Sequence, residues 1–323
     1  MSDAGVFTIS LDTELAWGTF DHGGHRRHER AYRATPAVVE RLCALFERYD
    51  VPATWAFVAH LFEDCGETHA RIDEVDREMP CVRGVDERLW YAPGLLDTVR
   101  NCTVEQDVGL HGYTHLVVDE HARSTVDREL AAAVAAAARH DVDPVSFVYP
   151  RNRIAYVDLL ADHGFEVYRG VDARWYERTG VPSAVRRSLR FADEALSVAP
   201  PVVEPHEREG VVCVPGSQVF RPDHAAWGLT PDGTQVTRAR KGLDRAAATG
   251  GVFHLWWHPF NFGRDPDRLV PKLERILSYA DDLRTSGRLE LRSLRSIASE
   301  HRAGRWETKP SVTNRHADNG VTT

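Results

Sequence analysis

The stretch Val108-Gly109-Leu110-His111-Gly112-Tyr113-Thr114-His115 carries two imidazoles separated by three positions, with a glycine between them where the backbone can turn or approach a ligand closely. Residues four apart on one helical turn, or in a tight loop leading into one, face the same way, so both rings can reach a single ion. A hydrolytic transition-metal site usually adds a third protein ligand, often a carboxylate, and keeps one position open for water. Suitable acids stand far upstream. Residues 6–11 read as a β-branched strand that empties into Asp12-Thr13-Glu14. Carboxylates at the exit of a buried strand are costly unless paired or bound to a cation. Either Asp12 or Glu14 as third ligand leaves the other for general-base work, and His258, after the run 251–257, is left to protonate a leaving group.

These groups meet only if the segments between them fold as repeating strand and helix units. Strands are expected over residues 6–11, 52–58, 104–110, 145–149, 165–168, 210–215, 251–257 and 289–291. Helices are expected from Thr35-Pro36 onward, where proline suits a first turn, and over 119–140, 154–163, 237–249, 266–284 and 294–301. Residues 18–34 read as a loop, 60–92 as an irregular acidic insertion, and 171–210 as a loop-rich excursion with one helix. An alternation repeated about seven times implies parallel strands with helices outside, in an open doubly wound sheet or a barrel. Both architectures bind ligands at the carboxyl ends of strands. Asp12 and Glu14, His111 and His115, Arg151 and His258 all fall there. No internal repeat or flexible linker divides the chain. One domain is expected over residues 1–302, with 303–323 a disordered polar tail.

The 323 residues are 42% apolar and 27% charged, as in a soluble globular protein. A net charge of −8 argues against a nucleic-acid-binding surface. No window approaches the ~20 apolar residues of a membrane span. The start of the chain lacks a basic segment followed by an apolar run, so no signal peptide is expected. Cys43, Cys65, Cys81, Cys102 and Cys213 are odd in number and form no C-x-x-C pair, which fits free thiols in a reducing cytoplasm.

Four motifs follow one another at strand exits: Ser10-Leu11-Asp12, His111-Gly112-Tyr113-Thr114-His115, residues 147–152, and Trp257-His258. In this order they resemble the motifs of the polysaccharide deacetylase family, the carbohydrate esterases of family four, over roughly residues 6–300. The resemblance implies a distorted, incomplete (β/α)7-type barrel in a single domain with irregular insertions. It implies a metal-dependent hydrolase that removes an acetyl group from an N-acetylated sugar in a polysaccharide or glycan precursor. Carried over, Asp12 resembles the general base, His258 the general acid, and His111 and His115 metal ligands. Many members place two adjacent aspartates where this chain has Asp12-Thr13, whereas another branch spaces base and ligand by one residue, as Asp12-x-Glu14 does. Alternate strand residues share a face, so Glu14 is assigned as the third ligand.

The third motif departs from the commoner form. Val148 stands where an arginine often sits, and Arg151 where an aromatic does. The Arg151 main-chain N–H is assigned to the oxyanion, and its guanidinium is expected to orient Asp12 in place of the missing arginine. Tyr149 in the same motif and Trp90-Tyr91 in the insertion are expected to contact substrate, and His254 to lie in the core. Two imidazoles and a carboxylate suit Zn2+, with Fe, Co and Mn also accommodated. Two alternatives keep this fold: a cyclic imide or allantoin-type amidohydrolase acting on a small amide, and a non-catalytic carbohydrate-binding protein. Without a leader, a cytoplasmic, precursor-level substrate is expected.

Overall fold

Nine consecutive buried residues, Gly5–Thr13, form the strand β1 around which the other elements assemble. The computed structural model describes residues 4–63, 71–75, 77–79, 86–174, 176, 181–222 and 233–306. After β1 come α1 (Gly24–Tyr49), β2 (Thr54–Phe57), a small antiparallel pair β3 (Arg71–Ile72) and β4 (Arg77–Glu78), and α2 (Pro93–Arg100). Next are β5 (Asp107–Leu110), α3 (Arg123–Arg139), β6 (Ser146–Val148), α4 (Val157–Asp162), β7 (Val167–Gly170) and α5 (Ser183–Ala195). The chain continues with β8 (His206–Arg208), β9 (Val211–Pro215), β10 (Gln218–Val219), α6 (Thr234–Thr249), β11 (Val252–Trp257), α7 (Pro266–Thr285), β12 (Leu289–Leu291) and α8 (Leu294–Arg302).

The main sheet runs β10-β11-β1-β2-β5-β6-β7-β9-β8, with β12 against the start of β1. All its pairings are parallel except that of β8 with β9. β9 pairs with β7, from Val167↔Val212 to Gly170↔Pro215, and two residues later β10 pairs with β11. Between them, the Ser217 N–H donates to the His254 carbonyl at 3.0 Å. One extended segment thus changes neighbour halfway and joins both ends of the sheet. Seven strand positions form a ring closed at the carboxyl ends only; at the amino end of β11, Val203 bridges to Val252 instead. This is the distorted, incomplete (β/α)7-type barrel expected.

Strand alternation sorts the interior. Phe7, Ile9 and Leu11 face the outer helices and join the main apolar core. On the other face of β1, Val6 packs with Val167, Val212, Val214 and Val252, and with Leu294 and Ile297 of α8, which plugs the amino end of the barrel. Asp107 at that end accepts from Thr54 Oγ1 at 2.9 Å and Ser146 Oγ at 2.6 Å, and the Leu294 N–H donates to Thr54 Oγ1 at 2.9 Å. Above this floor the interior turns polar, with Ser10 Oγ 2.9 Å from His254 Nε2. Asp12 and Glu14 stand at the rim.

Three expectations change. The loop expected over 18–34 is helical from Gly24, and Pro36 lies inside α1 rather than at its start. Burial of Ala31 and Tyr32, the latter edge-on to Phe260 at 4.9 Å, pulls this His- and Arg-rich segment into helix. α2 follows the irregular insertion as a helix the sequence pattern left unmarked. Residues 303–306 pack onto the barrel through Arg305, 2.6 Å from Glu290, while the rest of the expected tail, 307–323, lies outside the described residues.

Candidate metal centre and active site

β1 ends at Thr13, and Glu14 follows with its carboxylate still turned into the ring. Glu14 Oε2 lies 3.3 Å from His111 Nε2 and 3.1 Å from His115 Nε2, and all three side chains are buried. Nitrogen and oxygen ligands at ~2.0–2.2 Å from a tetrahedral zinc would stand about 3.3 Å apart, which matches. His111 Nδ1 is 2.7 Å from the Val148 carbonyl, an arrangement that makes Nδ1–H the donor and leaves the Nε2 lone pair free. That Nε2 is buried and has no hydrogen-bond partner among the described residues. A buried acceptor without a proton to take is costly. These residues therefore fit a divalent cation, and the donor set of two imidazoles and one carboxylate suits zinc.

The histidine loop is set by its backbone. Gly112 and His115 have φ of 80° and 60°, in the left-handed region, and the turn brings the two rings to 4.9 Å. The buried Glu129 carboxylate of α3 fixes that turn. It accepts from the N–H groups of Tyr113 and Thr114 at 2.8 and 2.7 Å and from Thr114 Oγ1 at 3.0 Å. Arg77 donates to the Thr114 carbonyl at 2.8 Å from the other side.

Asp12 sits beside this centre. Arg169 holds it bidentately, Nη1 to Oδ1 at 2.5 Å and Nη2 to Oδ2 at 2.7 Å. The same guanidinium reaches Ser10 Oγ and Asn152 Oδ1 and lies over the Trp256 ring at 4.2 Å. His258 Nε2 is 3.8 Å from Asp12 Oδ2 and 3.5 Å from Glu14 Oε1, with its side chain about one quarter exposed to the cleft. Burial pushes the Asp12 and Glu14 carboxyls up, but the guanidinium and imidazoles around them outweigh it. Arg169 above all holds Asp12 below the usual carboxylate range, and His258 and His115 hold Glu14 well below. Both acids are therefore ionised. His115, buried, is pushed down from the ordinary imidazole value and stays neutral, as a ligand must.

A cleft of about 370 Å³ opens over these groups, lined also by Gly18, Thr19, His22, His28 and Phe260. His22, in the turn before α1, and His28, in its second turn, both belonged to the expected loop and went unnoticed for that reason.

Five of the sequence-predicted residues, Asp12, Glu14, His111, His115 and His258, come together here. Others do not behave as expected. The Arg151 guanidinium pairs with Asp21 at the surface and does not reach Asp12; Arg169, which the sequence reading left out, takes that place. Arg151, at φ 56°, is among the residues lining the cleft, and Asn152 N–H closes its turn onto Tyr149 O. Trp90 and Tyr91 are core residues rather than substrate contacts: Trp90 packs edge-on to Trp17 at 5.2 Å and Tyr91 against His60 at 5.4 Å. Tyr149 is likewise turned inward, between Phe147 and Tyr168. In each case the large apolar ring gains more from burial than from a polar rim. His254 is a core residue as expected.

No protein-family model matches the chain, and no curated protein matches it in sequence. Solved structures match it in fold. A protein from Mycobacterium smegmatis assigned as a polysaccharide deacetylase is 17% identical, with a TM-score of 0.62 over 98% of this chain and 96% of that one. One from Pseudomonas aeruginosa PAO1, similarly assigned, is 15% identical, with a TM-score of 0.59 over 92% and 91%. An allantoinase is 14% identical, with a TM-score of 0.59 over 92% and 90%. The chain has the fold of the polysaccharide deacetylases.

Proposed function

We propose that this protein is a metal-dependent hydrolase that removes the acetyl group of an N-acetylated sugar in a polysaccharide or glycan precursor. The observation that carries the reading is the buried triad of Glu14, His111 and His115, with Glu14 Oε2 3.3 and 3.1 Å from the two Nε2 atoms, flanked by an arginine-held carboxylate and an imidazole open to the cleft. Glu14, His111 and His115 would hold the cation, and the donor set suits zinc. A bound divalent ion supplies Lewis acidity to water and to a carbonyl oxygen.

Asp12, ionised and fixed by Arg169, takes the proton of the attacking water. The Arg151 N–H donates to the carbonyl oxygen as negative charge develops on it. His258, facing both Asp12 and Glu14, gives a proton to the departing amine. Trp256 and Phe260 line the cleft beside these groups and present apolar rings to the substrate.

A second reading, hydrolysis of a cyclic imide or an allantoin-like amide, has the support of an allantoinase with the same fold and a comparable TM-score. One experiment separates the readings. Protein stripped with a chelator is reloaded with Zn2+ and assayed for acetate release from N-acetylated sugars and for ring opening of cyclic imides. The deacetylase reading expects acetate release that disappears on stripping, returns on reloading and is absent in His111→Ala. Full acetate release from the stripped protein, or ring opening alone, sinks it.

A further inference from the structure

Beside the metal centre lies a larger cleft of about 590 Å³, and the two share Arg151, Asn152, Trp256, His258 and Asn261. Anything bound over His258 therefore extends into it. Among the described residues, its walls carry four arginines, Arg151, Arg186, Arg190 and Arg221, against one carboxylate, Asp172. They come from separate elements: Arg186 and Arg190 stand one turn apart on α5, Arg221 follows β10, and Arg151 follows β6. In a chain of net charge −8, such a gathering of cations around one hollow is not a by-product of composition.

Among the described residues, the acids at hand are already engaged. Asp172 accepts from Trp256 Nε1 at 2.8 Å, Glu194 lies 2.5 Å from Arg238 and 3.7 Å from Arg221, and Asp21 pairs with Arg151. The Arg186 guanidinium makes no ion pair or hydrogen bond among the described residues, and Arg190, one turn on, lines the same wall. Guanidinium groups converging on one hollow offer their paired N–H donors to the oxygens of a compact anion.

Building on the hydrolase reading, we infer that this cleft binds a phosphate or diphosphate ester, and that the substrate is a phosphorylated N-acylated sugar rather than a neutral glycan. A phosphate ester carries about −1.5 to −2 charges, which matches several arginines better than a single carboxylate does. The volume leaves room for the group esterified to the phosphate, a nucleoside or the head of a lipid carrier. The sugar reaches the metal centre across the residues common to both clefts.

The test is equilibrium binding to the wild-type, metal-loaded protein of sugars that contain no amide and so cannot be turned over: methyl glucoside, glucose 1-phosphate and UDP-glucose. The inference expects the phosphorylated ligands to bind about tenfold or more tightly than the glucoside, a margin that added salt erodes. Arg186→Ala combined with Arg190→Ala removes most of that margin, and Arg186→Lys keeps much of it; unchanged melting temperatures establish that the variants are folded. Tighter binding of UDP-glucose than of glucose 1-phosphate identifies a nucleotide carrier, and equal binding leaves the phosphoryl group as the recognised element with a lipid carrier admissible. Equal affinity for charged and neutral sugars, no detectable binding of either, or a margin insensitive to the arginines overturns the inference. Acetate release is measured separately on N-acetylglucosamine and its 1-phosphate. Release without phosphate preference leaves the hydrolase standing and the cationic cleft refuted. Phosphate-dependent binding without release does the reverse.

Discussion

Arg169 holds Asp12 from four strands away, both carboxylate oxygens accepting at 2.5 and 2.7 Å across the barrel interior. Asp12 is 3% exposed and Arg169 1%. Removing one member of a buried pair strands the other, at a cost of about 3–5 kcal/mol. Arg169→Met is expected to lose stability of that order in urea denaturation, and turnover by about a hundredfold or more. The double variant Arg169→Met/Asp12→Asn recovers much of the stability and none of the activity. Wild-type turnover in Arg169→Met would show that Asp12 needs no such partner.

Gly18 leaves the space that the Glu14 carboxylate occupies. A Cβ built there would lie 2.0 Å from Glu14 Oε1 and 2.1 Å from its Cδ. Gly18→Ala is therefore expected to push the carboxylate off the two imidazoles with little change to the barrel. Zinc affinity, read by competition with a chromophoric chelator, falls about 10–100-fold while the far-ultraviolet circular dichroism is kept. Unaltered affinity would argue against Glu14 as a ligand.

Glu129 supports the candidate metal centre through the backbone, its carboxylate accepting from the Tyr113 and Thr114 N–H groups of the histidine loop. Burial raises its carboxyl above the ordinary value in spite of those bonds. Glu129→Ala leaves both donors unsatisfied, each worth about 1–3 kcal/mol, and should weaken zinc binding together with stability. Glu129→Gln keeps a carbonyl oxygen in place for both donors and should retain most of each. Calorimetric melting with and without zinc distinguishes the two substitutions, and equal behaviour refutes the role.

Burial, reinforced by the Arg169 charge, pushes His254 from an ordinary 6.5 down to about 3. It is neutral in the folded protein, whereas the unfolded chain takes up a proton there below about pH 6.5. Folding stability should therefore fall as pH drops from about 6.5 toward 3, by up to about 1.4 kcal/mol per pH unit from this group alone. Asp12, held low, adds to the loss at more acid pH as its carboxyl protonates. His254→Gln cannot be protonated, so its urea midpoint should vary less between about pH 6.5 and 5 than that of the wild type. A parallel dependence in both proteins rules His254 out as the source.

The barrel was legible because its signals are periodic. Asp12 and Glu14 declared themselves as acids at a strand exit, and alternation placed both on one face. His111 and His115 announced a metal through spacing. Arg169 carried no such mark: the apolar pattern of β7 fades at Tyr168, so an arginine one residue on reads as surface. Only the curl of the sheet, which no local pattern encodes, sets it opposite Asp12. Arg151 misled for the opposite reason, since its sequence position matches a motif while its left-handed backbone turns the side chain toward Asp21. Trp90 and Tyr91 were misread because an aromatic in a polar insertion looks available, and Tyr149 because it stands in a motif; burial is decided by distant partners such as Trp17 and Tyr168.

The barrel bore is graded, with valines and the hydrogen-bonded Asp107 at its base, a hydroxyl and a neutral imidazole midway, and the clustered charges of Asp12, Glu14 and Arg169 at its lip. The lower half contains little that can reorient to screen those charges. Their field is consequently directed outward through the mouth, and a carbonyl arriving there is polarised by the lip residues before it touches any of them.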